Sequence, residues 1–95
     1  MIIESALITV RDGGNEAFEA VLPQAVSFLA GSPGYLGHTL RRSIESPQRY
    51  LLTVQWRALE DHTEGFSGSP AFISWRALIG PYFAVPPVVE HFEDF

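Results

Sequence analysis

The chain has 95 residues, a length that suits one domain spanning residues 1–95. It contains no cysteine, which excludes disulfides, thiolate metal sites and a cysteine nucleophile. Its formal net charge is −5 and all 6 basic residues are arginines, so we expect it to bind neither nucleic acid nor a membrane surface.

The start of the chain favours a cytoplasmic protein. Met1 is followed by two isoleucines and then by Glu4, so the basic leader of a signal peptide is missing. No run of about 20 apolar residues, the length needed to cross a bilayer, occurs in the sequence. We therefore expect the protein to act in the cytoplasm.

A strand and then a helix are predicted for the first third of the chain. Residues 2–10 are rich in Ile, Val and Thr, which favours a strand. Asn15 is predicted to cap the helix that follows, and Pro23 is expected to kink it. The apolar stripe of this helix has helical spacing. It consists of Phe18, Val21, Leu22, Ala25, Phe28 and Leu29.

Two strands joined by a hairpin turn are predicted for the middle of the chain. In residues 35–44 the alternation places Leu36, His38 and Leu40 on one face. Residues 45–48 have the length of a hairpin turn. Residues 49–57 form the clearest strand of the sequence. One of its faces is expected to carry Tyr50, Leu52, Val54 and Trp56.

Two further helices and a last strand complete the predicted order. Residues 59–66 suggest a short helix, Ser69 before Pro70 starts another, and residues 88–92 predict a strand. The order β-α-β-β-α-α-β predicts an α+β, ferredoxin-like fold, a four-stranded antiparallel sheet with helices on one face. Because 46% of the residues are hydrophobic, we expect the open face to be covered by a second copy in a homodimer.

Several motifs in the middle and at the end of the chain resemble those of a known family. They are Gly34-Tyr35-Leu36-Gly37, Pro47-Gln48-Arg49-Tyr50-Leu51-Leu52, Leu59-Glu60-Asp61-His62-Thr63-Glu64-Gly65-Phe66, Ser69-Pro70-Ala71-Phe72, Trp75-Arg76-Ala77-Leu78 and Pro86-Pro87-Val88-Val89-Glu90-His91-Phe92. With them the chain resembles, over nearly its whole length, the antibiotic biosynthesis monooxygenase-like family of dimeric α+β barrels.

The resemblance implies a homodimer whose sheets pack face to face, with a pocket in each subunit between its own sheet and helices. The best-known members oxygenate phenolic polyketides or quinols with dioxygen and use neither a metal nor an organic cofactor. A phenol that loses its proton is electron-rich enough to react with dioxygen. The protein then supplies a dry pocket, a base, and a donor or cation for the anion. We therefore expect no cofactor and a small aromatic ligand.

The sequence departs from the better-known active sites of that family. The haem-degrading branch uses an Asn on the first strand, a Trp on the helix after the third strand and a His on the next helix. Here the only Asn is Asn15, Phe66 stands at the Trp position, and Arg76 stands near the His position. Haem breakdown is therefore disfavoured. Gly65 and Ala71 replace histidines that many quinol-oxidising relatives carry.

Three residues are predicted to be catalytic: His62, Arg76 and His91. His62 is a candidate general base, or alternatively a surface histidine paired with a neighbouring acid. Arg76 could hold a carboxylate or phenolate, or pair with an acid at the surface. His91 and Glu90 point to opposite faces of a strand, so only one can enter a pocket and the other could bridge subunits. The histidines show no metal-ligand spacing, so no metal site is expected.

A second group of residues is predicted to bind the aromatic substrate. Aromatic side chains at such positions are more often part of an ordinary core, and a lone histidine on an apolar face is usually a hydrogen-bonded core residue. The predicted substrate-binding residues are His38, Trp56, Phe66, Trp75, Tyr82, Phe83 and Glu90.

Two functions stay open on the sequence alone. The first is a cofactor-independent monooxygenase acting on a small aromatic phenol or quinol. The second is a non-catalytic dimeric ligand-binding or structural domain of the same fold, which the missing histidines favour. An open cleft with His62 or Arg76 pointing inward would favour the enzyme, and a space filled by side chains would favour the second function.

Overall fold

Four β-strands and two α-helices are the main elements of the computed structural model, which describes residues 1–95. In chain order the elements are β1 (Ile2–Thr9), α1 (Asn15–Ala30), β2 (Tyr35–Arg42), β3 (Arg49–Trp56), a π-helix (Asp61–Phe66), α2 (Pro70–Ile79), a 3₁₀ turn (Gly80–Tyr82) and β4 (Val88–Glu93). The π-helix takes the place of the predicted second helix. None of the helices combines the length and the apolar character that crossing a membrane requires.

The strands form one sheet in the order β2-β3-β1-β4, and every neighbouring pair is antiparallel. β1 pairs with β3 on one side and with β4 on the other, while β2 and β3 form the predicted hairpin. Two central strands flanked by the second and fourth strands are the ferredoxin-like arrangement. The predicted α+β fold is therefore confirmed.

The core lies between one face of the sheet and the two α-helices. Alternate residues of β1 and β3 point into it, and the apolar stripe of α1 covers them. Burying each large apolar side chain contributes roughly 1.5–3 kcal/mol to folding. The buried residues are Ala6, Ile8, Val10, Phe18, Leu22, Ala25, Leu29, Tyr50, Leu52, Val54, Trp56, Phe66, Trp75 and Ile79.

The start of α1 differs from the prediction. Gly14 occupies the cap position, and the Asn15 amide instead donates hydrogen bonds to the Pro47 carbonyl oxygen and to the Tyr50 hydroxyl, both at 2.9 Å. The predicted cap at Asn15 is therefore wrong, because this side chain ties the helix to the β2–β3 hairpin. Beyond this start, α1 runs across Pro23 as one helix.

A β-bulge near the start of β2 changes the faces of its first residues. The register against β3 shifts between Tyr35 and Gly37, so Tyr35 shares the helix side with His38, and the Tyr35 hydroxyl lies 2.6 Å from His38 Nδ1. Leu36 is 56% exposed. The predicted common face of Leu36 and His38 is therefore wrong, because strict alternation fails where a strand contains an extra residue.

The face of the sheet opposite the helices exposes several apolar side chains and is uncovered within one chain. Leu7 at its centre pairs with Leu51 on β3 and with Val88 on β4, and all three side chains are exposed. Phe92 on β4 is half exposed on the same face. Leu7, Leu51 and Val88 are direct neighbours, and exposed apolar side chains grouped in this way often mark an interface. We call these four residues the open face.

Gly34, directly before β2, packs closely against the π-helix, whereas Gly13 lies in open space and serves as its control. Gly34 and Gly13 have φ angles of 85° and 77°. A Cβ at Gly34 would overlap the Asp61 carboxyl group, which accepts a hydrogen bond from the Ala58 amide at 3.1 Å, whereas a Cβ at Gly13 would meet nothing within 4 Å. We expect Gly34→Ala to lower the free energy of unfolding by about 3 kcal/mol and Gly13→Ala by only about 1 kcal/mol, measured by urea titration. Equal losses would contradict the tight packing at Asp61.

Candidate active site

A cavity of about 270 Å³ opens between the sheet and α2. Its floor is formed by β1, β3 and β4, and its walls come from α1, the π-helix, α2 and the loop that precedes β4. Most of the lining is apolar. Only three lining residues have an ionisable or charged side chain: Glu4, His62 and Arg76.

Five of the residues predicted for the site line this cavity. Each comes from a segment that the sequence identified as helix or connecting loop. The five residues are His62, Phe66, Trp75, Arg76 and Phe83. A cleft with both His62 and Arg76 in its lining is the arrangement that favours an enzyme.

The other predicted residues lie outside the cavity lining. His38 is on β2, where the Tyr35 hydroxyl is its partner. Trp56 is completely buried, and Tyr82 packs against the core. Glu90 is exposed on the side of β4 that faces away from the helices. His91 points toward the helices instead, where it contacts His62.

Glu4 is the functional candidate that the sequence interpretation missed. It lies on β1 and is the sole buried charged residue of the chain, at 6% exposure. The signal for it was present, because alternation from Ile8 and Ala6 puts position 4 on the same inward face. An acid at an inward position is costly unless it is partnered, so such a residue points to a polar cluster.

Four polar side chains lie in contact from the core to the edge of the sheet: Trp56, Glu4, His62 and His91. Trp56 Nε1 donates to Glu4 Oε1 at 2.9 Å, and the same oxygen lies 3.3 Å from His62 Nε2. His62 Nδ1 in turn lies 2.8 Å from His91 Nε2. The His62 ring also stacks on Trp56, with centroids 5.5 Å apart and planes inclined by 17°. Contacts on its face and at both nitrogens therefore fix the orientation of His62.

The register of the sheet brings these side chains together. β1 pairs with β4 so that Glu4 lies directly opposite His91, and both side chains point to the helix side. The π-helix then brings His62 between them. Of these three residues only His62 and His91 are hydrogen-bonded, while His62 lies close to Glu4. The structure contains no group of three His, Asp or Glu side chains arranged to hold a metal ion.

Burial shifts the pKa values of two groups in opposite directions. It raises the pKa of the Glu4 carboxyl above its ordinary 4.5, an effect that the hydrogen bond from Trp56 partly offsets. Burial, and to a smaller extent the neighbouring His91, lowers the pKa of His62 from 6.5 to about 4. Both shifts favour the uncharged form. His62 is therefore a neutral imidazole at pH 7, and Glu4 holds a proton more tightly than an exposed carboxyl does.

Arg76 supplies a cation at the rim of the cavity. It lies in the last turn of α2, it is exposed, and its guanidinium takes part in none of the salt bridges of the chain. A guanidinium without a carboxylate partner is available to a carboxylate or phenolate of a ligand.

Comparison with known proteins identifies related chains. The family model described as antibiotic biosynthesis monooxygenase matches residues 1–78. The uncharacterized protein YczJ of Bacillus subtilis (strain 168) is 40% identical over 94 residues, which cover 99% of each chain. A crystal structure from Bordetella bronchiseptica, provisionally described as an antibiotic biosynthesis monooxygenase, is 41% identical with a TM-score of 0.94 and covers 99% of this chain and 96% of its own.

A more distant structure shares the fold. It is a variant of SnoaB, described as a cofactor-independent oxygenase from Streptomyces nogalater. Its TM-score is 0.80 at 20% identity, and the match covers 98% of this chain and 91% of that one. The region that the family model matches contains Glu4, His62 and Arg76, whereas His91 lies beyond it.

The lowered pKa of His62 predicts a loss of stability on acidification. The folded state disfavours protonated His62, so its contribution is complete above about pH 6.5 and is lost as the pH falls toward about 4. The raised pKa of Glu4 acts oppositely, because that contribution is present at low pH and is lost as the pH rises. We expect the His62 contribution to fall by about 1–2 kcal/mol, allowing for solvent screening.

Urea titrations at several pH values between about 7 and 4 measure this contribution. We expect the difference in unfolding free energy between the unmodified protein and His62→Gln to shrink across this range. Thr63→Ala, which changes the exposed neighbour, is the control and should keep the pH dependence of the unmodified protein. A constant difference for His62→Gln would contradict the assigned pKa shift.

Proposed function

This chain belongs to the antibiotic biosynthesis monooxygenase family, and from that premise we propose that it oxygenates a small aromatic phenol or quinol without a cofactor. The observation that carries the proposal is an apolar cavity whose only ionisable lining residues are Glu4, His62 and Arg76. Such a cavity offers dry surroundings, a base and a cation for a developing anion. The shared fold of SnoaB, a cofactor-independent oxygenase, supports the same chemistry.

The proposed reaction needs no reductant besides the substrate. A base takes the proton of a phenolic hydroxyl, and the resulting anion gives electrons to dioxygen. One oxygen atom bonds to a ring carbon, which loses its hydrogen, and the other oxygen atom leaves as water. A hydroquinone thus becomes a hydroxyquinone and a phenol becomes a quinone. All the electrons that reduce dioxygen come from the ring.

The size of the cavity suits one substituted aromatic ring. An engineered apolar cavity of about 150 Å³ in another protein holds benzene, and the cavity here measures about 270 Å³. Phe66, Trp75 and Phe83 supply aromatic walls against which a ring can pack. Arg76 at the rim is suited to hold the phenolate oxygen or an acidic substituent.

The second candidate function is a non-catalytic domain that binds an aromatic ligand in the same cavity. The observation that favours it is the state of His62, whose Nδ1 is hydrogen-bonded to His91 and whose pKa is lowered to about 4. A histidine with so low a pKa is a weak base toward a ligand. The two functions differ in whether dioxygen is consumed.

We propose that the protein is a homodimer whose two subunits contact each other through the open face. Leu7, Leu51, Val88 and Phe92 are apolar and exposed in one chain, and a second sheet packed on them would remove them from water. The location of the protein in the cytoplasm stays a prediction from the sequence.

Oxygen consumption with a panel of hydroquinones and simple phenols tests the proposed activity. We expect turnover above the buffer rate, and we expect His62→Ala to lower it by about 10²–10⁴-fold because it removes one of the three ionisable groups that line the cavity. Thr63→Ala on the same π-helix should leave turnover unchanged. Binding of the aromatic compound without oxygen uptake would contradict the activity and favour the non-catalytic alternative.

Sedimentation velocity at micromolar concentration tests the dimer. We expect a particle of twice the 10.5 kDa chain mass. Leu7→Glu places a charge at the centre of the open face and should give a monomer, because its neighbours in the sheet are apolar. Ile73→Glu, on the exposed side of α2, should leave the dimer intact. A monomer for the unmodified protein would refute the dimer.

A further inference from the structure

We propose that the cavity binds a hydroxylated aromatic acid, with the acid group held by Arg76 at the rim and the hydroxyl directed inward to Glu4 and His62. The use of such a compound as a substrate rests on the proposed function, whereas its binding does not. In this assignment Arg76 selects and orients the ligand, and the reacting hydroxyl lies at the inner end of the cavity, which we define by Glu4 and His62.

One face of α2 lines the cavity, and Arg76 belongs to this face. The residues of α2 in the lining are Phe72, Trp75, Arg76 and Ile79. Their spacing of three and four residues places them in one stripe along the helix. Ile73, by contrast, is 71% exposed and does not line the cavity. The side chain of Arg76 is therefore part of the cavity wall, although the residue is exposed to solvent.

The guanidinium of Arg76 is free to bind a ligand. Arg11, Arg42 and Arg57 each donate to a carbonyl oxygen or a carboxylate of the protein, whereas Arg76 takes part in no salt bridge. Its place in the last turn of α2 favours a cation, because carbonyl oxygens point out of this end of a helix. That preference does not supply a partner for its N–H groups. A carboxylate can accept two of them side by side.

The inner end of the cavity is unsuited to the charged group of such a ligand. The side chains of Glu4 and His62 are only 8% and 12% exposed. Burial raises the pKa of the Glu4 carboxyl and lowers the pKa of His62 to about 4, so both groups favour their uncharged form there. An anionic substituent at this end would lose its water and approach a carboxyl group, whereas a hydroxyl can donate or accept a hydrogen bond.

The wall between the two ends is aromatic and is held in place by the sheet. Phe66, Trp75 and Phe83 belong to it. The segment at Phe83 is tied to the end of β1, because Val10 and Phe83 form a β-bridge and Arg11 Nε donates to the Phe83 carbonyl oxygen at 3.1 Å. A wall that is already ordered lowers the entropic cost of binding. A flat ring that carries a hydroxyl and an acid group fits this arrangement.

Calorimetric titration at pH 7 with 2-, 3- and 4-hydroxybenzoate and with the matching hydroxybenzamides tests the assignment. Each pair shares the ring and the hydroxyl and differs in the charge of the substituent. We expect the unmodified protein to bind at least one of these acids about tenfold more tightly than its amide. Arg76→Gln should abolish this preference, and Arg76→Lys should retain part of it. Arg49→Gln is the control, because Arg49 is also exposed and without a salt bridge but does not line this cavity.

Reversing the charge at the rim gives a second readout, which a purely structural role of Arg76 would not produce. We expect Arg76→Glu to lose binding of the acid and to bind tyramine, a phenol that carries an amine, more tightly than the unmodified protein does. A structural role in α2 would instead weaken the binding of acids, amides and tyramine by similar factors.

Three results would overturn the assignment. The first is that the unmodified protein binds acids and amides equally or binds none of them. The second is that Arg76→Gln weakens an acid and its amide by the same factor, because the guanidinium would then contact the ring or the hydroxyl. The third is that Arg49→Gln removes the preference as Arg76→Gln does, because the net charge of the protein would then be responsible.

The ligand assignment and the proposed activity can fail separately. Binding of the acid that depends on Arg76, found together with no oxygen uptake, would refute the activity and keep the ligand assignment. If oxygen is consumed, we expect Arg76→Gln to raise KM for hydroxy acids about tenfold and to change kcat by less than about threefold. Oxygen uptake with equal kcat/KM for acidic and neutral phenols would refute the ligand assignment and keep the activity.

Discussion

The burial of Glu4 beside Trp56 is the constraint on which the rest of this structure depends. The enclosed indole N–H requires an acceptor, and the carboxylate provides it from a neighbouring part of the sheet. His62 lies next to the same carboxyl oxygen, with its Nε2 at 3.3 Å, and its Nδ1 is hydrogen-bonded to His91. Because these partners lie on four different elements, each fixes the position of the others, and leaving one polar group unpaired would cost about 1–3 kcal/mol.

The sheet and the helices contribute different parts of the cavity. The sheet contributes Glu4 and the apolar floor of the cavity, whereas the helical segments contribute its aromatic walls together with His62 and Arg76. Chains of this family share the scaffold, and a scaffold alone does not determine an activity. What distinguishes the cavity of this chain is its polar set, in which Glu4 on β1 supplies the acid.

The sequence predicted the fold more completely than the site. Alternation along β3 placed Tyr50 and Trp56 on the buried face, and Ser69 does cap α2 by accepting a hydrogen bond from the Phe72 amide. These features depend on neighbours along the chain. The Glu4–His62 contact depends instead on how strands and a helix approach in space. Periodicity could have shown that the side chain of residue 4 points inward, but not that His62 lies next to it.

Two errors have the same physical origin. A β-bulge in β2 inserts one extra residue, and period-two reasoning then assigned Leu36 to the wrong face. Asn15 found acceptors on the hairpin, whereas a local pattern suggested only a cap for its own helix. In each case a contact across the fold outweighed a preference that is local to the chain.

The position of His62 in the site depends on the number of residues in the π-helix and not only on which residues they are. A π turn accommodates an additional residue compared with an α turn, and such turns often lie at functional sites. Removing any one residue of Asp61–Phe66 would allow this segment to tighten into an α-helix, and each residue step turns a helix by roughly 100°. His62 would then lose its contact with Glu4. Homologous chains that keep Glu4 and His62 in contact should therefore differ in the other residues of this segment but not in its length.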